Sequence, residues 1–213
     1  MTESPAVHPY DRHVGRYGKA LATGLIEVAG ISPGDRVLDV GCGTGQLTAG
    51  LANVLGAQNV AALDPSETVL AVCRSRVPAA DVRLASAESL PFADAEFDAV
   101  LAQLVVNLVD DPPRALGEMA RVARPGGVVA ACFWDDDEMP LLHSLWDSAR
   151  AIAPEALAEV NEQAQVGLSD VRLLRDWWAS AGLRAVTLGE FEVAADYDDF
   201  DDLWAPFAAG VGH

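Results

Sequence analysis

Two carboxylates and an alternating run of glycines carry the chemistry this chain can do. Asp39 lies in the apolar run 37–40, and Gly41, Gly43 and Gly45 follow at every second position, with Cys42 and Thr44 between them. The next ten residues, 46–55, put Leu47, Leu51, Val54 and Leu55 on one helical face. Strand, glycine turn and helix in that order present backbone N–H groups to a ligand at a helix N-terminus. Glycine suits the turn because it tolerates positive φ and close approach. Asp64 ends a second apolar run, 59–64. It stands roughly twenty residues past the last glycine, the separation at which a βαβ unit brings a carboxylate to a ribose. An ionised carboxylate only accepts hydrogen bonds, so it matches two adjacent hydroxyls. The stretch Asp64-Pro65-Ser66-Glu67 also opens a helix, with Ser66 as its expected cap. A plain connecting turn is the alternative for the glycines, and helix capping the alternative for Asp64. The dinucleotide spacing G-x-G-x-x-G is absent, which argues against an NAD-type dehydrogenase.

The pattern Asp39-x-Gly41-x-Gly43-x-Gly45 resembles motif I of the class I S-adenosylmethionine (SAM) methyltransferases, in particular the small-molecule type similar to the ubiquinone/menaquinone-biosynthesis enzymes. The resemblance implies that the turn, Cys42 included, packs against the amino-acid part of SAM. It implies that Asp39 orients the ammonium end and that Asp64, with Pro65 beside it, meets the ribose. After a third apolar run, 82–85, the segment Ser86-Ala87-Glu88-Ser89-Leu90-Pro91-Phe92 is similar to the family's Asp-Ala-Glu-x-Leu-Pro-Phe. Ser86 replaces the aspartate that often bonds the adenine amino group, which leaves that role to the Ala87 amide, Glu88 or the Ser86 hydroxyl. A fourth run, 97–102, leads into Gln103 and Leu104, which the family places near the sulfonium. A further hallmark, Arg121-Val122-x-x-Pro125-Gly126-Gly127 before an apolar strand at 128–134, is structural. The resemblance covers about residues 30 to 134.

Strands and helices alternating over this length predict an α/β fold, a Rossmann-like three-layer α/β/α sandwich with a mostly parallel sheet. Right-handed crossovers then gather the strand C-terminal ends, and all the residues above, on one edge. A single domain is expected over 1–213. Residues 1–30 form an N-terminal helical cap and 31–134 the SAM-binding core. Residues 135–182 form a helical lid inserted between strands five and six, with helices at 141–152, 154–165 and 169–181. Residues 183–213 carry a sixth strand at 185–193 and a last helix within 196–207. No chain is left for the family's seventh strand. Acceptor-side candidates are Tyr10, Tyr17, Trp134, His143 and Trp146; Tyr10, Arg16 and Tyr17 face either the SAM carboxylate or the substrate, with solvated or packing residues of a surface helix as the alternative. His143, Tyr10 and His13, with His8, are candidates for an optional general base.

The formal charge is −18, from 14 basic and 32 acidic residues. That disfavours nucleic acid, whose phosphates demand clustered cations, and an anionic membrane surface. Three widely spaced cysteines, with no C-x-x-C, suggest neither zinc nor a redox pair and fit a reducing cytoplasm. No basic-then-apolar leader opens the sequence, and no apolar run is long enough to span a membrane. The expected activity is metal-independent transfer of the SAM methyl to a small-molecule acceptor by in-line displacement, leaving S-adenosylhomocysteine. A cytoplasmic monomer or homodimer is expected. A subunit that binds SAM or a related nucleotide without turnover, in a regulatory or partner-binding role, is the alternative from another class.

Overall fold

Apart from Asp39, Asp98 and the polar residues that end them, the runs at 37–40, 60–64 and 97–103 are apolar on both faces, so each must be covered on both sides. The computed structural model describes residues 14–135, 139–153 and 171–208. In it these runs become the three inner strands of a five-stranded sheet ordered β3-β2-β1-β4-β5, every neighbouring pair parallel. In chain order the elements are α1 (Val14–Val28), β1 (Val37–Val40), α2 (Gln46–Leu55), β2 (Val60–Asp64), α3 (Glu67–Arg76), β3 (Asp81–Leu84), β4 (Phe97–Gln103), α4 (Pro112–Val122), β5 (Ala123–Cys132), α5 (Pro140–Ile152), α6 (Val171–Ser180) and α7 (Phe200–Ala208).

Alternation along the strands builds two cores. Val37 and Leu101 meet Leu21, Leu25, Leu47 and Leu51 of α1 and α2 on one face. Leu38, Val40 and Val100 meet Leu116, Met119 and Val122 of α4 on the other. Helix α4 starts where the sequence demands. The Asp111 carboxylate accepts from the Arg114 N–H at 3.1 Å, and prolines fill the first turn, where a missing N–H costs little.

Three expectations need correction. Strand β5 begins at Ala123 rather than 128 and ends at Cys132 rather than 134. Its register jumps between Phe97↔Ala123 and Ala99↔Val128, so the Pro-Gly-Gly stretch is an irregularity inside the strand rather than a stop before it. Gly127 packs so closely that a Cβ there would lie 2.7 Å from the Asp98 carbonyl oxygen. Second, residues 185–193 form no strand. Phe191 and Val193 pack onto the α1 side of the core, while Val186 and Leu188 face solvent. The alternation was one-sided burial against a helix, not sheet pairing. Third, Trp177 and Trp178 of α6 pack into the α4-side core, Trp178 edge-on to Phe133 with centroids 6.2 Å apart, so this helix belongs to the outer layer beside α4. The helix expected at 154–165 lies outside the described residues. Among the described residues no helix is long and apolar enough to cross a membrane.

Candidate cofactor site

Because every strand runs the same way, the ends of β1, β2, β3 and β4 open on one rim. The Cys42 N–H donates to the Leu63 carbonyl at 2.9 Å, folding the glycine turn across β2. Gly45 (φ 86°) precedes α2 and lies against α3, where a Cβ would stand 2.7 Å from Cys73 Sγ. Gly43 (φ 53°) has nothing within 4 Å of the position a Cβ would take. One glycine is therefore demanded by packing and the other leaves open space.

The Asp64 carboxylate spans this turn and the next helix. Oδ2 accepts from the Gly43 N–H at 3.0 Å and Oδ1 from the Ser66 N–H at 2.9 Å. Ser66 occupies the cap position of α3 but makes no side-chain cap hydrogen bond, which corrects the expected role. Exposed Pro65 follows Asp64 on the rim.

Asp39 is only 1% exposed. Thr48 Oγ1 donates to its Oδ2 at 2.6 Å, while Oδ1 has no partner. Burial pushes this carboxyl up to about 7; the Thr48 hydrogen bonds pull it down in part, and the Asp64 charge adds a smaller upward push. A cleft of about 380 Å³, its open mouth included, is lined by Gly15, Gly18, Asp39, Gly41, Cys42, Gly43, Thr44, Gln46, Leu47 and Gln103. Gln103 donates through Nε2 to the Gly18 carbonyl at 3.3 Å, and its Oε1 is buried without a partner. Two acceptor oxygens without donors, Asp39 Oδ1 and Gln103 Oε1, thus belong to residues of the same cleft. Orphaned buried acceptors call for a ligand that donates, and a cation satisfies Asp39 best.

Leu104 turns the end of β4 sharply, at φ 59°, with its N–H donating to the Cys132 carbonyl at 3.1 Å. Such a conformation in a non-glycine residue marks strain of the kind that collects at functional sites. The loop after β3 is joined to β2 by the Ala85 N–H donating to the Asp64 carbonyl at 3.2 Å. There the Ser86 hydroxyl donates to the Glu88 carboxylate, which also accepts from the Asp110 N–H at 3.1 Å. The Ser86 hydrogen bond is the main reason Glu88 sits below the usual carboxylate range. Ser86 and Glu88 therefore fasten loops to each other, and Ala87 is buried between them.

Tyr17 and Trp134 meet edge-on, with centroids 5.3 Å apart. His143 is exposed on α5 and Trp146 half-buried, and neither lines the cleft. Tyr10, His13 and His8 lie outside the described residues. The absence of a C-x-x-C hid a contact: Cys42 and Cys73 share one buried cluster, the Cys42 thiol donating to the Gly43 carbonyl at 3.8 Å and the Cys73 thiol to Thr48 Oγ1 at 3.7 Å. Sequence reasoning also missed Thr48, Gly15, Gly18 and Gln46. Thr48 carried a signal, being a polar residue on the apolar face of α2; so did Gly15 and Gly18, two glycines one helical turn apart. Among the described residues no group of three or more His, Cys, Asp or Glu is placed to hold a metal ion.

A glycine turn, a strand-end carboxylate beyond it and a cleft with unpartnered acceptors on one rim of a parallel sheet make up the arrangement with which α/β proteins bind nucleoside cofactors. The family described as "Methyltransferase domain" matches residues 38–131. The chain is 35% identical over 167 residues to a demethylmenaquinone methyltransferase of Clavibacter sepedonicus, covering 72% of this chain and 67% of that one. It is 33% identical over 180 residues to a malonyl-[acyl-carrier protein] O-methyltransferase of Pseudescherichia vulneris, covering 80% and 70%. It spans 43% of a second demethylmenaquinone methyltransferase, from Renibacterium salmoninarum. Its fold is shared with a solved structure from Methanococcus maripaludis, at TM-score 0.59, 18% identity and 86% coverage of both chains. The chain belongs to the methyltransferase family.

Proposed function

We propose that this protein binds SAM across the rim formed by β1, β2 and β4 and transfers its methyl group to a small organic acceptor. The observation that carries the reading is the hydrogen bond between the Gly43 N–H and Asp64 Oδ2 at 3.0 Å. It joins the glycine turn to the β2 carboxylate on one edge, as a nucleoside cofactor requires. The unpartnered Asp39 Oδ1 and the open space over Gly43 fit such a cofactor. When bound, SAM supplies an electrophilic methyl on its sulfonium.

The chain's own residues do the rest. Asp64 accepts from the ribose hydroxyls. Asp39, held by Thr48, accepts from the ammonium through its unpartnered oxygen. The backbone at 41–45 comes close to the cofactor because its glycines carry no Cβ. Gln103, fixed by its bond to Gly18, and the turned backbone at Leu104 border the reacting end. Helix α1 covers the cleft through Gly15 and Gly18 and excludes water. The acceptor enters beside Tyr17 and Trp134, whose edge-on pair lies just past the end of β5 and favours an apolar, ring-bearing molecule. The net charge of −18 speaks for a neutral or cationic acceptor and against nucleic acid. The sparse cysteines speak for a cytoplasmic setting, and a metal-free reaction in a monomer or homodimer completes the reading. Calorimetry with SAM and S-adenosylhomocysteine is the test. Micromolar binding that D64A weakens at least tenfold supports it, and no heat at millimolar ligand refutes it.

A further inference from the structure

Four consecutive residues of α1 divide their work. Gly15 and Gly18, one turn apart, line the cleft, whereas Arg16 and Tyr17 reach the C-terminal segment. Gly18 is there because α1 must come close. A Cβ on Gly18 would lie 2.8 Å from Gln46 Cγ, and the Gly18 carbonyl accepts from Gln103. Each glycine also weakens a helix by about 1 kcal/mol relative to alanine. The end of α1 that roofs the cleft is thus its weakest end, and an external anchor must hold it.

That anchor is on the structure. Arg16 forms an ion pair with Asp202 of α7 and donates to the Asp196 carbonyl at 2.9 Å. Its guanidinium also lies 4.7 Å from the centroid of the Tyr197 ring. The Tyr17 and Tyr197 hydroxyls pair at 3.1 Å, and burial together with that bond raises the Tyr197 phenol, keeping it protonated. The Tyr17 ring is braced from another side by Trp134. The anchor residues 196, 197 and 202 stand about 180 positions from α1 in the chain and carry no family motif.

We propose that Tyr197 and Asp202 are positioning residues for the cofactor: through Tyr17 and Arg16 they latch the glycine end of α1 over the cleft, so that SAM enters and leaves when this latch opens. This rests on the SAM reading above. Neither residue lines the cleft, and they act through α1 alone. A latch that opens before release slows both entry and exit, so loosening it raises the off-rate more than it alters the chemical step.

The test is stopped-flow measurement of S-adenosylhomocysteine dissociation with the full chain, with KM for SAM and kcat measured where an acceptor is known. The variants are Y197F, D202N, R16M and the charge exchange R16D/D202R. Y197F is expected to raise the off-rate about threefold, and D202N and R16M about tenfold, as fits loss of one hydrogen bond and of one partly buried charged pair. D202E and the charge exchange restore most of the wild-type rate. D81N, which breaks an exposed pair on β3, leaves it unchanged. Amide exchange in residues 14–20 rises in D202N at unchanged melting temperature. Off-rates within a factor of 1.5 or so of wild type in all three single variants, or an increase that the charge exchange fails to reverse, overturn the latch. Wild-type protein that binds no S-adenosylhomocysteine overturns the cofactor reading instead.

Discussion

Alanine placed at Gly43 and at Gly45 should separate binding from folding. Both positions have positive φ, 53° and 86°, which costs an alanine about 1 kcal/mol. At Gly43 a Cβ meets nothing within 4 Å, so G43A should lose only that much stability. At Gly45 the same Cβ stands 2.7 Å from Cys73 Sγ and 3.2 Å from Cys73 Cα, and a backbone atom on a packed helix does not swing aside. Overpacking of this kind adds about 1–3 kcal/mol, so G45A should lose about 2–4 kcal/mol in all. Affinity should rank the other way. The new methyl of G43A fills the space over the turn, and S-adenosylhomocysteine binding should fall more than tenfold. G45A, measured where it remains folded, should lose less. Urea unfolding gives the first quantity and calorimetry the second. The reasoning fails if G43A unfolds as easily as G45A while keeping its affinity.

Other outcomes follow from the same geometry. Asp39 has a folded pKa of about 7 against roughly 3.9 when unfolded, so between those values the folded state holds the extra proton. Its contribution to stability is complete below pH 4 and is lost as pH rises through 7. Cofactor binding, which favours the carboxylate, should release a proton below pH 7, and calorimetry at pH 6 in two buffers of different ionisation heat measures it; proton-neutral binding would contradict the assignment. D64A frees the Gly43 N–H and the Ser66 N–H together, and cofactor affinity should drop by one to two orders of magnitude with circular dichroism unchanged. W178A should cost about 2 kcal/mol in urea melts, as a half-buried ring lost from the core, with cofactor affinity within twofold of wild type.

The centre of the sheet was legible because both signals there are local. Buried parallel strands read as continuous apolar runs, and the glycine turn is written in consecutive residues. Asp64 was legible as well, since its distance from the glycines follows from the size of a βαβ unit. What escaped reading depends on partners far along the chain. The alternation at 185–193 fits a strand or a segment lying on a helix equally well, and only the contact of Phe191 with α1, at Gly24, decides between them. Trp177 and Trp178 were read as part of a lid because aromatic helical segments after β5 do not say which layer they join. The meeting of Cys42 with Cys73 in one cluster and the pairing of Tyr17 with Tyr197 have no local signature. The orphaned oxygen of Gln103 appears only once α1 has taken the other end of its amide.

The carboxylate that ends β2 is already committed at both oxygens before any ligand arrives. Its rotation is frozen by two main-chain amides, so the entropy of orienting it is spent when the chain folds. Each oxygen keeps a free lone pair, so sugar hydroxyls add to the existing bonds without a search through rotamers. Substitutions that loosen this side chain should weaken sugar binding even where every other contact survives.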